Sequence, residues 1–235
     1  MDLLNAVDQI GPGDVIDLGC GTGQMGAALA RLAMGRDVIG VDESPAMLEK
    51  AHAAKGYTSL QQADIRDWLP RRAPGLIYSN AALHWLGDHR RLMPGLAAML
   101  RKGGTLAVQM PHQNNAPSHR VWQTLANDMF PGHVDASGAP GIMAPQEYDA
   151  ILAPRGRFRM WDTMYYQRLS AEADSHPVRR YTESTYARPI LDGLDPGERA
   201  AIIARYEEVM ASAYPVRADG SVLFPFRRLF FTLTV

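Results

Sequence analysis

Short apolar runs alternate with helical stripes along the first half of the chain. Val15, Ile16 and Leu18 predict a buried strand at about residues 14 to 18, after which Met25, Ala28, Leu29 and Leu32 recur at helical spacing until Gly35. Asp37 to Val41 predicts a second strand. Ser44-Pro45 then opens a helix, with serine as N-cap and proline at its first position, and Gly56 ends it. Further strands are predicted at about 57 to 62, 74 to 79 and 105 to 110. Before the last of these, Asp88 caps a helix carrying Leu92, Leu96, Met99 and Leu100, kinked at Pro94 and closed by Arg101-Lys102-Gly103-Gly104. A short helix over Met1 to Ile10, stopped by Gly11-Pro12-Gly13, precedes them all. Strands alternating with helices in this way predict a parallel sheet.

The second half departs from that rhythm. Residues 111 to 141 are rich in Asn, His, Pro and Gly around one helical stretch, Val121 to Phe130, and are too long for an idle loop. They are expected to form part of an active-site wall. Gln146 to Leu152 predicts a helix, and Arg157 to Leu169 a strand with Trp161, Thr163, Tyr165 and Gln167 on one face. Asp195-Pro196-Gly197-Glu198 is a capping box for a helix burying Ile202, Tyr206, Val209, Met210 and Ala213, which Pro215 terminates. Arg228 to Val235 predicts a last strand, antiparallel to its neighbour, and a helical cap fills about 170 to 222. The expected organisation is one domain over 1 to 235. Its core covers about 1–110, 146–169 and 223–235, and its cap elements about 111–145 and 170–222.

Composition narrows the partners. With 235 residues and a formal net charge of -1, the chain offers no bulk field for nucleic acid or an anionic membrane. Lys50, Lys55 and Lys102 are its only lysines, so 24 basic residues less three leaves 21 arginines, the side chain that grips carboxylates with parallel hydrogen bonds. Cys20 is the sole cysteine, which excludes an intrachain disulfide and points to a reducing compartment. Neither a signal peptide nor a stretch of membrane-spanning length is recognisable, and the expected location is the cytoplasm.

Candidate chemistry centres on Asp17, Gly19, Cys20, Gly21 and Gly23, where the first strand meets its turn. A dinucleotide fold prefers G-x-G-x-x-G, whereas these glycines are spaced by two, and a carboxylate at Asp17 repels a pyrophosphate but suits an ammonium group. Asp42 ends the second strand, where doubly wound nucleotide folds keep an acid for both ribose hydroxyls, and Glu43 follows it. Asn80 to Trp85 follow the fourth strand, at the edge where open α/β sheets bind ligands. The D-x-G-x-G-x-G pattern after an apolar strand resembles the first motif of class I S-adenosylmethionine-dependent methyltransferases. The resemblance implies a Rossmann-like, mostly parallel seven-stranded sheet with an antiparallel last strand and a helical cap. It implies S-adenosylmethionine as cofactor, S-adenosylhomocysteine as product, and Asp64 with Ile65 holding the adenine.

Leu106-Ala107-Val108-Gln109-Met110-Pro111, Trp161-x-Thr163-x-Tyr165, Arg188-Pro189 and Phe226-Arg227-Arg228-Leu229-Phe230 are similar to the trans-aconitate 2-methyltransferase family, from about Leu3 to the C-terminus. That resemblance implies methyl-ester formation on one carboxylate of a small polycarboxylic acid such as trans-aconitate. Arg188 and Arg228 would then clamp the substrate, with Trp85 as a wall and His119 at a family position. No catalytic base is implied, because a carboxylate is already ionised at neutral pH. Three features depart from the family pattern: His112-Gln113 in place of Asp-Asn, Tyr186 in place of glycine, and only the end of an N-terminal helix that tends to close over the cofactor.

Two other readings stay open. A hydroxyl acceptor would call on His112 or His119 as base, and a cofactor-binding protein whose cap lost its substrate would show no turnover. His112, His119 and His133 lack the spacing and neighbouring acids of a metal site, so no metal is expected. Oligomeric state is not legible.

Overall fold

The computed structural model describes residues 2–133, 140–170 and 175–235. Residues 134–139 and 171–174, within the two expected cap segments, lie outside the described residues. The chain divides into two compact units: residues 1–111, 142–163 and 229–235 form the first, and residues 112–141 and 164–228 the second.

The first unit begins with α1 (Asp2–Asn5), β1 (Val15–Leu18), α2 (Gly26–Ala33), β2 (Val38–Asp42) and α3 (Pro45–Ala53). It continues with β3 (Ser59–Gln62), β4 (Leu76–Asn80), α4 (His89–Met99) and β5 (Thr105–Pro111). After α5 (Pro117–Met129) of the second unit come α6 (Pro145–Leu152) and β6 (Arg157–Leu169). The second unit then supplies α7 (Pro177–Glu183), α8 (Arg188–Asp192) and α9 (Pro196–Ala213), and β7 (Val222–Thr234) closes the chain.

The sheet has the order β3-β2-β1-β4-β5-β7-β6, parallel from β3 to β5 and antiparallel where β7 meets β5 and β6. Its direction of winding reverses between β1 and β4, the crevice where such sheets bind ligands. Asp17 lies level with Gly40 on one side and Tyr78 on the other. Buried Ser79 donates a 2.7 Å hydrogen bond to the Leu18 carbonyl, tying the two strand ends that flank the crevice. Ile16, Leu18, Ile77, Leu106, Val108 and Phe231 fill the core of this unit. Complete burial of one such side chain contributes about 1.5–3 kcal/mol. In the second unit Trp122 stacks on Tyr206, ring centroids 3.8 Å apart, among Ile202, Met210 and Phe224.

Several boundaries differ from expectation. The first helix stops at Asn5, because the Gln9 carbonyl accepts from the Thr105 hydroxyl and the Gly11 amide donates to Gly75, so the following residues are held by the sheet end. Asp88 precedes α4 in a left-handed conformation and makes no capping bond. That helix ends at Leu100 rather than a glycine. Gly103 instead donates to the Val235 carbonyl at the sheet edge. The helix expected at 121 to 130 starts at Pro117, and at the end of α9 Ala213 is exposed while Tyr214, which follows the helix, is buried.

β7 starts six residues before its expected start at Arg228 and passes through Pro225, which looks like a break in sequence. The reason is Gln113. Its amide nitrogen donates to the Pro225 carbonyl at 3.3 Å and its oxygen accepts from the Arg227 amide at 3.2 Å, so one side chain serves the strand as a neighbouring peptide would.

Candidate active site

At the carboxyl ends of β1, β2 and β4 the first unit holds a cavity of about 350 Å³. Gly19, Gly21, Asp42, Glu43, Asp64 and Ile65 line it, as does Trp85. Gly21 has φ +54°, and a Cβ built there meets no protein atom within 4 Å, so the turn leaves open a space that any side chain would occupy. Gly19 serves a different purpose. With φ +77°, a Cβ there would stand 2.2 Å from that of Ala82, so the two segments can close up only around glycine.

Asp42 fixes the turn. Its Oδ2 accepts from the Gly21 amide at 2.8 Å and its Oδ1 from the Ser44 amide at 3.0 Å, leaving lone pairs on both oxygens. Asp64 accepts from both the backbone and the guanidinium of Arg66, which hold its carboxyl below the usual range. Trp85, 50 % exposed, is carried by a single 3-10 turn, Leu83–Trp85. Buried His89 steadies that turn, one ring nitrogen 2.9 Å from the Leu83 carbonyl and the other 2.5 Å from the Tyr148 hydroxyl. The wall therefore combines carboxylates with Ile65, Met47, Leu86 and Trp85. Such a wall suits a ligand bearing hydroxyls, a flat ring and a positive charge, and repels a pyrophosphate.

The other residues expected at the cofactor, Asp17, Cys20, Gly23 and Asn80, are not on this wall. Asp17 is 2 % exposed and accepts a 2.5 Å hydrogen bond from the Tyr57 hydroxyl. Burial pushes its carboxyl up to about 7, the Tyr57 bond opposes that rise and the Asp42 charge adds to it. The Cys20 thiol is pushed up to about 12 by burial, with Asp17 and Asp42 adding, so it stays protonated and unreactive at neutral pH. Gly23 packs on α3, where a Cβ would meet Ala54 and Ala51. Asn80 pairs with Gln109 of β5.

Arg188, His119 and Arg228 lie in the second unit. Arg188 opens α8 and lines a cavity of about 770 Å³ with Arg168, Arg180, Tyr181 and Arg199, and with the acids Glu183 and Asp192. Its side chain is 74 % exposed and its Nε is 3.5 Å from Asp192, a contact of little strength. Arg228 is not on that wall. Its guanidinium stands 5.0 Å from the ring centre of Phe226 and 5.8 Å from that of Tyr165, and its charge reaches Tyr181. His119 is buried, its ring 4.4 Å from that of Tyr186 and its Nδ1 2.9 Å from the Ser118 hydroxyl. Burial draws its imidazole down to about 4, so it is neutral at pH 7.

Sequence reasoning missed Tyr57, Met47 and Leu86, whereas Ala82 falls within the segment expected at the ligand edge. Met47, 40 % exposed, belongs to no apolar stripe facing the core, and that was the available clue. Nothing in the chain order pairs Tyr57 with a carboxylate forty positions earlier.

A doubly wound sheet with an acid-ringed glycine turn at its reversal point defines a Rossmann-like methyltransferase, and residues 15–104 match a family described as Methyltransferase domain. The fold is similar to that of the YcgJ protein from Bacillus subtilis, with a TM-score of 0.62 at 16% identity over 98% of this chain and 94% of that one. Over 97% of its length the chain is 40% identical to a trans-aconitate 2-methyltransferase from Methylobacterium radiotolerans, covering 89% of that protein. It is 36% identical to one from Klebsiella pneumoniae, over 97% of this chain and 88% of the relative. The chain belongs to the trans-aconitate 2-methyltransferase family.

Proposed function

We propose that the protein transfers a methyl group from S-adenosylmethionine to one carboxylate of a small polycarboxylic acid such as trans-aconitate. The observation that carries the cofactor half of this reading is the cradle at Gly21, open on the ligand side and tied through its amide to Asp42. When bound, S-adenosylmethionine supplies an electrophilic methyl group on a sulfonium centre. Asp42 would accept from the ribose hydroxyls, Asp64 from the adenine amino group, and Ile65 would cover the ring. Glu43 completes the proposed cofactor set on the cavity wall, with Asp17 behind the turn as the carboxylate nearest the ammonium end, whereas Cys20, Gly23 and Asn80 do not line the cavity and shape the turn and strand ends around it. Trp85 would keep water from the methyl group.

An acceptor carboxylate needs no base at neutral pH, so the work left to the protein is placement. Arg188 and Arg228 would pair the carboxylates that do not react. Arg228 lies against two aromatic rings, a setting that strengthens its field relative to water. The cavity beside Arg188 is lined by four arginines against two acids, Glu183 and Asp192, an excess of positive charge that supports an anionic acceptor, and His119, neutral and buried, would meet the acceptor without carrying charge. Among the described residues no helix is long and apolar enough to cross a membrane. A net charge of -1 and one cysteine suit a small-molecule enzyme of the cytoplasm.

The test is incubation with methyl-labelled S-adenosylmethionine and trans-aconitate, then with other di- and tricarboxylates. A base-labile labelled ester is expected. Transfer only to hydroxyl compounds, or tight binding of S-adenosylhomocysteine with no ester from any acid, would overturn the choice of acceptor.

A further inference from the structure

The glycine-rich turn has two sides, and only one of them faces the cavity. On the other side a Cβ at Gly23 would meet the Tyr57 ring at 3.1 Å, one at Gly26 would meet it at 2.7 Å, and one at Gly40 at 3.1 Å. These glycines come from the turn, from the first position of α2 and from the middle of β2. Together they form a slot that fits one aromatic ring and leaves no room for side chains of their own. At the end of that slot is the Asp17 carboxylate, 2.5 Å from the phenol oxygen.

We propose that Tyr57 is a positioning residue for the cofactor: seated among three glycines, its hydroxyl fixes the Asp17 carboxylate, favours its anionic form and aims it toward the turn that receives the ammonium end. This rests on the cofactor reading above and deepens it. A buried carboxylate without a cation beside it is costly to ionise. The titratable groups that face Asp17 are Cys20 from the turn, Asp42 from β2, Tyr57 from the segment before β3 and Tyr78 from β4. All are neutral or anionic. The phenol is the one among them that favours the ionised carboxylate, and burial beside Asp17 pushes its own pKa far above the usual range, so it remains a donor. One oxygen of Asp17 takes that bond, which leaves the other for the incoming ammonium.

The sign follows. Asp17 titrates near neutrality, so cofactor affinity should rise with pH through that region, and losing the phenol should move the rise upward.

Binding of S-adenosylhomocysteine to the whole protein, measured by calorimetry from pH 5.5 to 8.5, tests this without turnover. Tyr57→Phe keeps the ring in its slot and removes only the hydroxyl. It should weaken binding about tenfold at pH 7, recover toward wild type at pH 8.5 and show a midpoint shifted upward. Asp17→Asn, the second variant, should bind weakly with no rise across this range. An unshifted midpoint in Tyr57→Phe, or a loss equal at every pH, would overturn the proposal, since a merely structural ring gives the latter. Absence of binding by wild type at any pH would instead defeat the cofactor reading itself.

Discussion

The Gly21 amide and the Asp42 carboxylate are joined by a 2.8 Å hydrogen bond, so the turn after β1 and the end of β2 hold each other in one geometry. Asp42→Ala removes that bond, the one to Ser44 and the acceptor proposed for the ribose. Hydrogen bonds to a charged group are worth about 1.5–3 kcal/mol each. The dissociation constant for S-adenosylhomocysteine should rise at least about tenfold, as calorimetry would register. Wild-type affinity in this variant would remove Asp42 from the site.

The two cavity glycines should separate stability from binding. Gly19→Ala places a methyl 2.2 Å from Ala82 in a left-handed conformation, and should cost roughly 2–4 kcal/mol of unfolding free energy. Gly21→Ala meets no protein atom, so it should cost only about 1 kcal/mol of backbone strain yet weaken cofactor binding more than that. Denaturant titration beside calorimetry on each variant decides the matter, and equal losses of stability would contradict the assignment of the open side.

Arg188→Gln should raise KM for the acid about 10- to 100-fold with cofactor affinity and melting temperature unchanged. The expectation follows because a charge-assisted pair with a carboxylate is lost while the Asp192 contact is exposed and weak. Steady-state kinetics on trans-aconitate provide the readout, and an unchanged KM would assign the clamp elsewhere.

His119 contributes to acid sensitivity. Its folded value near 4 lies below the ordinary 6.5, so between these limits the unfolded chain binds more protons and stability falls as pH drops. At about pH 4 the loss approaches roughly 3 kcal/mol. Urea unfolding of wild type and His119→Gln at pH 7 and pH 4.5 should show a steeper acid loss in wild type. Asp17 acts with opposite sign: its raised value means the folded state holds a proton longer than the unfolded one, so its share of stability declines as pH rises from about 4 to 7.

Much of the first unit was legible because strand and helix periods there agree with local stop and start residues, as at Ser44-Pro45 and Gly35. What was lost depended on distant partners. The last strand was expected only from Arg228, whereas its earlier part, through Pro225, depends on a side chain from position 113, and Asp88 looked like a cap although its backbone turns the wrong way for capping. In the cavity, Asp42 and Asp64 could be found from their places at strand ends. Gly21 and Gly23 are indistinguishable by spacing, yet one opens onto the cavity while the other packs on Ala54. No one-dimensional pattern carries that division.

Gln113 has a practical consequence for anyone varying acceptor scope. Because its amide substitutes for a missing strand partner at Pro225 and Arg227, a substitution at this position would disturb the strand itself and make a poor guide to which acid is accepted. Libraries built to broaden the reaction should leave it fixed and randomise around Tyr181 and Arg180 instead.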